Sequence, residues 1–271
     1  MKTILIDNQT LQSVQKQAPP CVIALGYFDG IHLGHQQVIR TAREEAKKRG
    51  LPLALMSFRP HPINILSKGH RVVPHLTTLC EKEKRLKQLG VNLFYLVDFT
   101  LEFAALSSKQ FVQDYLSQLG VVHAVAGFDF SYGAKGVAKL EQIEQDSGGE
   151  ITITKVECID YQDEKISSSA IRQRLLSADV HEIPNFLGKY YTTKALWDGH
   201  EFHQLEKTML PSVGIYAVEL EFSNSLIKTY ISINGTSQRL LTKSHLYLPK
   251  GVFAIHWLQH IKTGVSSLAI S

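Results

Sequence analysis

Two histidines three residues apart, His32 and His35, are the residues whose types and spacing point most directly to chemistry. They follow a short apolar run, Val22–Leu25, and a turn that contains Gly26 and Gly30. Imidazoles three residues apart at a helix start can face the same way, and the backbone N–H groups beside them lack partners within the helix. Glycines let the backbone approach a ligand closely. The stretch therefore predicts a binding site for a phosphate group.

Two other interpretations use the same histidines. A zinc site would need a third and a fourth ligand, and neither a cysteine pair nor an H-E-x-x-H motif supplies them. A tight turn with surface histidines would need no ligand at all. The stretch differs from a Walker loop, which has a Lys-Ser/Thr pair after its glycines, and from the G-x-G-x-x-G dinucleotide fingerprint.

A second group of polar residues lies far downstream, in the stretch ISSSAIR that ends at Arg172. Serines favour helix N-caps, so Ser168 and Ser169 are expected near a helix start and Arg172 on its first turn. Hydroxyl groups, free amides and a guanidinium group could converge there on one anion. An N-capping serine would by itself explain this stretch, but its combination with the histidine motif favours anion binding.

Together these motifs resemble the superfamily of adenylyl- and cytidylyltransferases, in which HxGH is followed downstream by SSS/T-x-IR. The segments GYFDGIHLGH (26–35), FRPHP (58–62) and GFDFSYG (127–133) are similar to the FMN adenylyltransferase module of bacterial FAD synthetases. The resemblance covers about the first two thirds of the chain. It implies a Rossmann-like nucleotidyltransferase fold and transfer of AMP from ATP to FMN, which yields FAD and pyrophosphate. It also implies Mg²⁺ bound with ATP.

The resemblance assigns residues to two binding sites and to catalysis. The catalytic residues are expected to be His32, His35 and Arg172. The ATP site is expected to comprise Gly26, Phe28, Asp29, Gly30, His32, His35, Ser168, Ser169 and Arg172. The FMN site is expected to comprise Phe58, Pro60, His61, Pro62, Gly127, Phe128 and Asp129. No metal ligand is assigned.

Several individual roles stay open from the sequence. Phe28 could line the nucleotide or pack inside the turn, and Asp29 could orient a histidine, hold Mg²⁺ or cap the turn. The sequence does not define whether His32 and His35 are neutral or protonated. Arg59 stands where the family usually has an acidic or small residue, and it could contact the FMN phosphate or point into solvent.

The composition is that of an ordinary globular protein. In 271 residues, 44% are hydrophobic and 20% charged, so disorder and membrane spans are not expected. The net charge of +4 suits an anionic small ligand, but no basic tract with interleaved aromatic residues predicts nucleic-acid binding. No signal peptide is recognisable, and Cys21, Cys80 and Cys158 form no C-x-x-C pair, so a cytoplasmic protein is expected. The oligomeric state is not predicted.

Apolar patterns with strand and helix periods alternate through the first two thirds of the chain. They predict strands over 22–25, 51–58, 91–97, 121–126 and 151–159, and helices over 36–49, 79–89, 111–119, 136–145 and 171–187, the last interrupted near Pro184. A capping-box pattern at Thr78 marks the start of the second helix. This alternation is typical of a parallel sheet covered by helices.

The pattern changes near Leu187 to short strands separated by turns, over 214–220, 227–233, 246–248 and 251–257. The chain is therefore predicted to divide into residues 1–186, an α/β nucleotidyltransferase domain, and residues 187–271, a small antiparallel, barrel-like β domain. In bifunctional FAD synthetases this place holds a riboflavin kinase, and the segment Leu210–Val218 resembles one of its strands. The kinase motif Gly-Phe-Pro-Thr-Ala-Asn has no counterpart after Gly199, so loss of the kinase activity is expected.

Three alternatives accompany this interpretation. The chain could be a bifunctional enzyme with a divergent kinase, or another transferase of the superfamily that acts on pantetheine phosphate or nicotinate mononucleotide. It could also be a catalytically silent regulator that binds flavin. The motifs at 26–35 and 166–172 are intact, which favours an active enzyme, and the Pro-His-Pro loop and the appended β domain favour FMN as the acceptor.

Overall fold

A computed structural model describes residues 1–235, 239–242 and 248–261. The chain divides into two compact units, of which the first comprises residues 1–73 and 79–160. The second comprises residues 74–78 together with the chain from residue 161 onward. Among the described residues, no helix is long and apolar enough to cross a membrane.

The first unit is built on a six-stranded sheet whose paired strands all run parallel. Its elements in chain order are β1 (Lys2–Ile6), α1 (Leu11–Gln15), β2 (Cys21–Leu25), α2 (Leu33–Arg49), β3 (Leu53–Arg59), α3 (Pro62–Leu66), α4 (Leu79–Gln88), β4 (Leu93–Asp98), α5 (Leu101–Ala104), α6 (Ser108–Tyr115), β5 (Val121–Gly127), β6 (Ser131–Tyr132), β7 (Ala138–Lys139), α7 (Gln142–Asp146) and β8 (Thr152–Val156). The strand order is β1-β4-β3-β2-β5-β8.

Strand β2 lies inside the sheet, between β3 and β5, and all five of its residues are buried. Its side chains alternate between two hydrophobic clusters, one on each face of the sheet. Ile23 and Leu25 belong to one cluster, and Val22 and Ala24 belong to the other. A strand covered on both faces needs the continuous apolar run that the sequence shows here.

The first unit differs from the sequence-based expectation in several places, and the short helices α1, α3 and α5 and the strand β6 were not predicted. Strand β1, which pairs with β4 at the edge of the sheet, was not predicted. The helix predicted over 136–145 is wrong, because within it only residues from Gln142 onward are α-helical and residues 138–139 form β7. Lys135 and Gly136 have left-handed φ angles of 59° and 64°, which an α-helix does not tolerate.

The described residues of the second unit form two α-helices and a closed barrel, and a pair of two-residue strands that starts at Asp160, the last residue of the first unit, precedes them. Its elements are β9 (Asp160–Tyr161), β10 (Glu164–Lys165), α8 (Ser168–Leu176), α9 (Pro184–Leu187), β11 (Tyr191–Trp197), β12 (Phe202–Gln204), β13 (Gly214–Phe222), β14 (Ser225–Asn234), β15 (Arg239–Thr242) and β16 (Gly251–Ile261). The barrel order is β11-β12-β15-β14-β13-β16, with antiparallel neighbours.

The predicted class, a Rossmann-like parallel sheet followed by an antiparallel barrel-like domain, is confirmed. The helical stretch predicted over 171–187, with an interruption near Pro184, is two helices, and the break begins earlier than predicted, since the chain turns at Ala178, where φ is 66°. By contacts the segment 161–187 groups with the barrel, and the division at residues 186 and 187 stays a prediction. The strand predicted over 246–248 lies, except for Leu248, outside the described residues.

Replacing Ile23 with alanine is expected to lower the free energy of unfolding by about 2–5 kcal/mol, because it leaves a cavity beneath the central strand. Urea denaturation followed by circular dichroism measures the change. Val137→Ala is the control, since Val137 is 74% exposed and its loss is expected to stay within about 0.5 kcal/mol. Equal effects of the two substitutions would contradict a tightly packed core around Ile23.

Candidate active site

The chain leaves β2 through a turn with an unusual backbone. Phe28, Gly30 and Ile31 have left-handed φ angles of 55°, 77° and 47°. Glycine adopts such angles easily, whereas an aromatic or β-branched residue does so only at a cost of about 1–3 kcal/mol each. Strain of this kind persists only where surrounding contacts determine the backbone, and it is concentrated at functional sites.

Packing of the Phe28 side chain in the core stabilises the strained turn. The Phe28 ring is fully buried, and a side chain at Gly26 would place a Cβ atom 3.1 Å from that ring. The carbonyl oxygen of Ile31 accepts a hydrogen bond of 3.0 Å from the buried side-chain amide of Gln36. Of the two roles left open for Phe28, the structure therefore places its ring in the core of the turn.

His32 is the N-cap of α2, and this role defines its tautomer. The backbone N–H of His35 donates to Nδ1 of His32 at 3.2 Å. An acceptor nitrogen carries no proton, so the ring is neutral and its proton is on Nε2. His32 is 8% exposed, and in this form it presents a single N–H donor.

His35 stacks on His32, as the spacing of three residues predicted. Their ring centroids are 3.6 Å apart and the planes differ by 20°. The ring of Phe28 lies on His35 at 5.0 Å between centroids. Two rings this close cannot both carry a positive charge without strong repulsion, so the stack favours at most one imidazolium.

A buried lysine from α4 also contacts the turn. Lys82 Nζ donates to the carbonyl oxygen of Tyr27 at 3.1 Å and lies 3.4 Å from the hydroxyl of Ser57. The Ser57 hydroxyl donates to the same carbonyl at 2.6 Å. Burial lowers the pKa of the Lys82 ammonium from 10.5 to about 8, and the nearby carboxylate of Asp29 opposes this shift.

The second predicted loop follows β3 and meets the first through an aromatic contact. The His61 ring packs edge-on against the Tyr27 ring, with centroids 4.3 Å apart. Nδ1 of His61 accepts from the backbone N–H of Ile63 at 3.1 Å, so a neutral His61 also carries its proton on Nε2. In the same loop, the ring of Phe58 packs against the rings of Phe99 and Phe103. Arg59 and Pro60 are exposed, and Pro62 is the first residue of α3.

The third predicted segment follows β5. Gly127 ends the strand, and Phe128 and Asp129 after it are exposed, Phe128 to 41%. In the sheet register, Leu25 at the end of β2 pairs with Met56 of β3 on one side and with Ala126 of β5 on the other. The three predicted segments therefore leave three adjacent parallel strands at one edge, where ligands bind in open α/β sheets.

The serine and arginine motif lies in the second unit, at the start of α8. Ser167, rather than the two serines assigned to the ATP site, is the N-cap, and its hydroxyl accepts from the backbone N–H of Ala170 at 3.1 Å. Ser168 and Ser169 therefore lie in the first turn. Arg172 Nε donates to the carbonyl oxygen of Pro74 at 3.1 Å, which ties this motif to the short segment 74–78 of the same unit.

Asp29 is 1% exposed and interacts electrostatically with Lys82. Within the part of the chain that the structure describes, no three histidine, cysteine, aspartate or glutamate residues lie close enough to hold a metal ion. The roles of Asp29 as a magnesium ligand or as an orienting group stay predictions.

The comparisons with known proteins agree with these motifs. A family model described as FAD synthetase matches residues 14–170. The bifunctional riboflavin kinase/FMN adenylyltransferase of Bacillus subtilis is 39% identical over 238 residues, which are 83% of this chain and 75% of the relative. The chain belongs to the FAD synthetase family.

Further relatives of this FAD synthetase family member carry one or both activities in their names. The FAD synthetase of Listeria monocytogenes is 32% identical over 206 residues, 75% of this chain and 83% of the relative. The bifunctional riboflavin kinase/FMN adenylyltransferase of the same organism is 38% identical over 252 residues, 89% of this chain and 79% of the relative. A crystal structure of a macrolide-efflux protein from Streptococcus pneumoniae has a TM-score of 0.83 and 28% identity, and the match covers 99% of this chain and 94% of that one.

Sequence reasoning about this FAD synthetase family member missed Lys82 and Ser57. Lys82 lies in the charged run EKEKRLK, which is typical of a solvent-exposed helix face. The structure buries Lys82 because its position on the helix faces the interior. Ser57 stands within an apolar strand, where a small hydroxyl residue gives no functional signal. The proximity of the capping-box helix to the glycine turn, which would have revealed both, is a property of the fold.

The buried ammonium is expected to make stability rise with pH. The pKa of Lys82 is about 8 in the folded chain and near 10.5 when exposed, so between these values the unfolded chain binds more protons. Relative to Lys82→Met, the free energy of unfolding of the unmodified chain is expected to increase by about 2 kcal/mol between about pH 7 and pH 9.5. Urea denaturation at both pH values measures it, and a difference independent of pH would contradict the burial of a charged Lys82.

Proposed function

We propose that this chain transfers AMP from ATP to FMN, giving FAD and pyrophosphate, and that it has no riboflavin kinase activity. Membership of the FAD synthetase family makes it an enzyme of the nucleotidyltransferase type. The observation that carries the residue assignments is the meeting of the three predicted segments at the carboxyl ends of β2, β3 and β5. One of these segments presents the stacked pair His32 and His35 at a helix start.

In the proposed reaction, the FMN phosphate attacks the α-phosphorus of ATP in line with the departing pyrophosphate. Such a displacement needs two anions held in line and donors for the developing charge rather than a protein nucleophile. The Nε2–H of His32, the ring of His35 and the N-terminus of α2 would supply those donors. Gly26 and Gly30 let the backbone approach ATP, and Phe28 supports His35 from the core.

The start of α8 is proposed to bind the triphosphate end of ATP. The cap by Ser167 leaves Ser168 and Ser169 in the first helical turn, where hydroxyl groups and backbone amides favour anions. Arg172 adds a permanent positive charge one turn later. These roles rest on the motif and on the local geometry of α8. Mg²⁺ is proposed to bind with ATP, since a triphosphate supplies most of the ligands that this ion needs.

The loops after β3 and β5 are proposed to bind FMN. Phe58, Pro60, His61 and Pro62 would border the flavin and its phosphate, and Gly127, Phe128 and Asp129 would close the other side. The exposed ring of Phe128 suits contact with a flat aromatic ligand. His61, whose neutral ring donates through Nε2, suits an anionic group. We also propose the cytoplasm as the location, because the three cysteines, Cys21, Cys80 and Cys158, are odd in number and form no C-x-x-C pair, which fits a reducing compartment.

The barrel is proposed to lack kinase activity. The resemblance places the kinase motif after Trp197, where the chain forms a closed hairpin: Trp197 pairs with Phe202. The carboxylate of Asp198 accepts from the backbone N–H groups of His200 and Glu201 at 2.7 and 2.9 Å, so this carboxylate serves to close the turn. The second candidate, a bifunctional enzyme, is favoured by the names of the Bacillus and Listeria relatives.

His35→Ala and Arg172→Ala are each expected to lower kcat for FAD formation at least tenfold, because removal of one transition-state donor typically costs about 10²–10³ in rate. Chromatography of FAD formed from FMN and Mg-ATP measures the rate. His203→Ala is the control, since it removes an exposed imidazole of the barrel that pairs with Asp198. Near-normal turnover in a folded variant would remove that residue from the proposed site.

The assay with riboflavin separates the two candidate functions. With Mg-ATP and FMN, the purified chain is expected to form FAD and pyrophosphate; with Mg-ATP and riboflavin, it is expected to form neither FMN nor FAD. Appearance of FMN would establish the bifunctional enzyme. Tight binding of FMN and ATP without pyrophosphate release would instead identify a flavin-binding regulator.

A further inference from the structure

Lys82 is buried, although its side chain carries a charge over most of the pH range. It lies on α4, is 7% exposed, and shares this helix with solvent-facing charged residues such as Lys84. Placing an ammonium group out of water is unfavourable unless it gains specific partners. The partners of the buried ammonium group therefore indicate the role of Lys82.

Those partners belong to the turn that carries His32 and His35 and to strand β3, which leads into the loop of His61. Lys82 Nζ donates to the Tyr27 carbonyl at 3.1 Å, lies 5.0 Å from the centre of the Tyr27 ring, and lies 3.4 Å from the Ser57 hydroxyl. The Tyr27 ring in turn meets the His61 ring. One ammonium group thus connects the turn after β2 with the end of β3.

The carbonyl of Tyr27 is the group that fixes the course of the turn. It belongs to the planar peptide that joins Tyr27 to Phe28, and φ of Phe28 is the first left-handed rotation after that plane. Because Lys82 and Ser57 both donate to this oxygen, the plane cannot rotate without losing two buried hydrogen bonds. The plane sets the direction in which the chain continues to His32 and His35.

We propose that Lys82 is a positioning residue for FMN adenylyl transfer, which holds the Tyr27–Phe28 peptide so that His32 and His35 meet the phosphates of ATP. This inference rests on the proposed function. Lys82 acts through the turn and does not itself touch the reacting atoms. Transition-state donors lose much of their effect when they are displaced by about 1 Å, so a loosened turn is expected to lower kcat more than it changes KM.

The first test compares Lys82→Met with the matched control Lys84→Met on the same helix. Lys82→Met is expected to lower kcat at least tenfold and to change KM for ATP and FMN less than about threefold, whereas Lys84→Met keeps wild-type values. Circular dichroism confirms the fold of each variant. A folded Lys82→Met with kcat within twofold of wild type would overturn the proposal.

The second test keeps Lys82 and removes the other hydrogen bond to the Tyr27 carbonyl oxygen. Ser57→Ala removes the other donor to the Tyr27 carbonyl without changing any charge, and it decides the question if Lys82→Met does not fold. Its kcat is expected to fall at least threefold with KM unchanged, because a single remaining hydrogen bond restrains the peptide less. Unchanged kcat in Ser57→Ala would overturn the proposal.

The pH profile supplies a readout that a purely structural lysine would not move. Asp29 and the Tyr27 ring are the charged and titratable groups next to Lys82, and the neutral amine loses its attraction to both. The wild-type kcat is expected to fall as pH rises through about 8, and Lys82→Met is expected to lack this decline. A decline that persists unchanged in Lys82→Met would overturn the proposal, and absence of FAD formation by the wild type would overturn the proposed function along with it.

Discussion

The packing of β2 on both edges and both faces is the constraint on which the rest of the site depends. Parallel partners hold this strand on both sides, and a hydrophobic cluster covers each face. The chain beyond Leu25 must therefore turn within a few residues to reach α2, and it does so through left-handed angles at Phe28 and Ile31. Because Leu25 at the end of β2 pairs with Met56 of β3 and with Ala126 of β5, the loops that follow these three strands begin along one edge of the sheet.

The buried charge of Lys82 lowers the stability of the folded chain, and the same charge supports the geometry of the turn at Tyr27. Below about pH 8 the ammonium of Lys82 is charged and buried, which destabilises the folded chain relative to an exposed lysine. The same charge strengthens its hold on the Tyr27 carbonyl next to Asp29. As pH rises through about 8, the free energy of unfolding should therefore increase while the proposed activity falls. Strained active sites commonly show such a trade-off between stability and activity.

The sequence predicts most elements because their signals are local. The continuous apolar run of β2, the predicted end of the helix at residue 49 and the shared face of the i, i+3 histidines depend on near neighbours in the chain, and the structure confirms all three. The helix predicted over 136–145 was wrong because its buried apolar residues come from different elements: Leu140 lies in the turn after β7 and Ile143 lies in α7. Their spacing resembles the period of one continuous helix.

The missing parts of the candidate site depend on tertiary contacts. Lys82 has the charged neighbours of a surface helix, and its burial follows from the packing of α4 against the turn at Tyr27. Three successive serines could each have capped α8, and only the backbone angles select Ser167. The tautomer of His32 follows from a hydrogen bond to a backbone N–H group, which no side-chain pattern reveals.

That hydrogen bond also bears on the stereochemistry of the reaction. The lone pair of His32 on Nδ1 accepts from the N–H of His35, and its other ring nitrogen carries the proton. The lone pair of His61 is engaged in the same way with Ile63. Neither ring in its neutral form offers a nitrogen that could attack phosphorus, so an adenylylated His32 or His61 is disfavoured as an intermediate. A single direct displacement inverts the configuration at the α-phosphorus, whereas passage through a covalent adenylyl-enzyme would retain it.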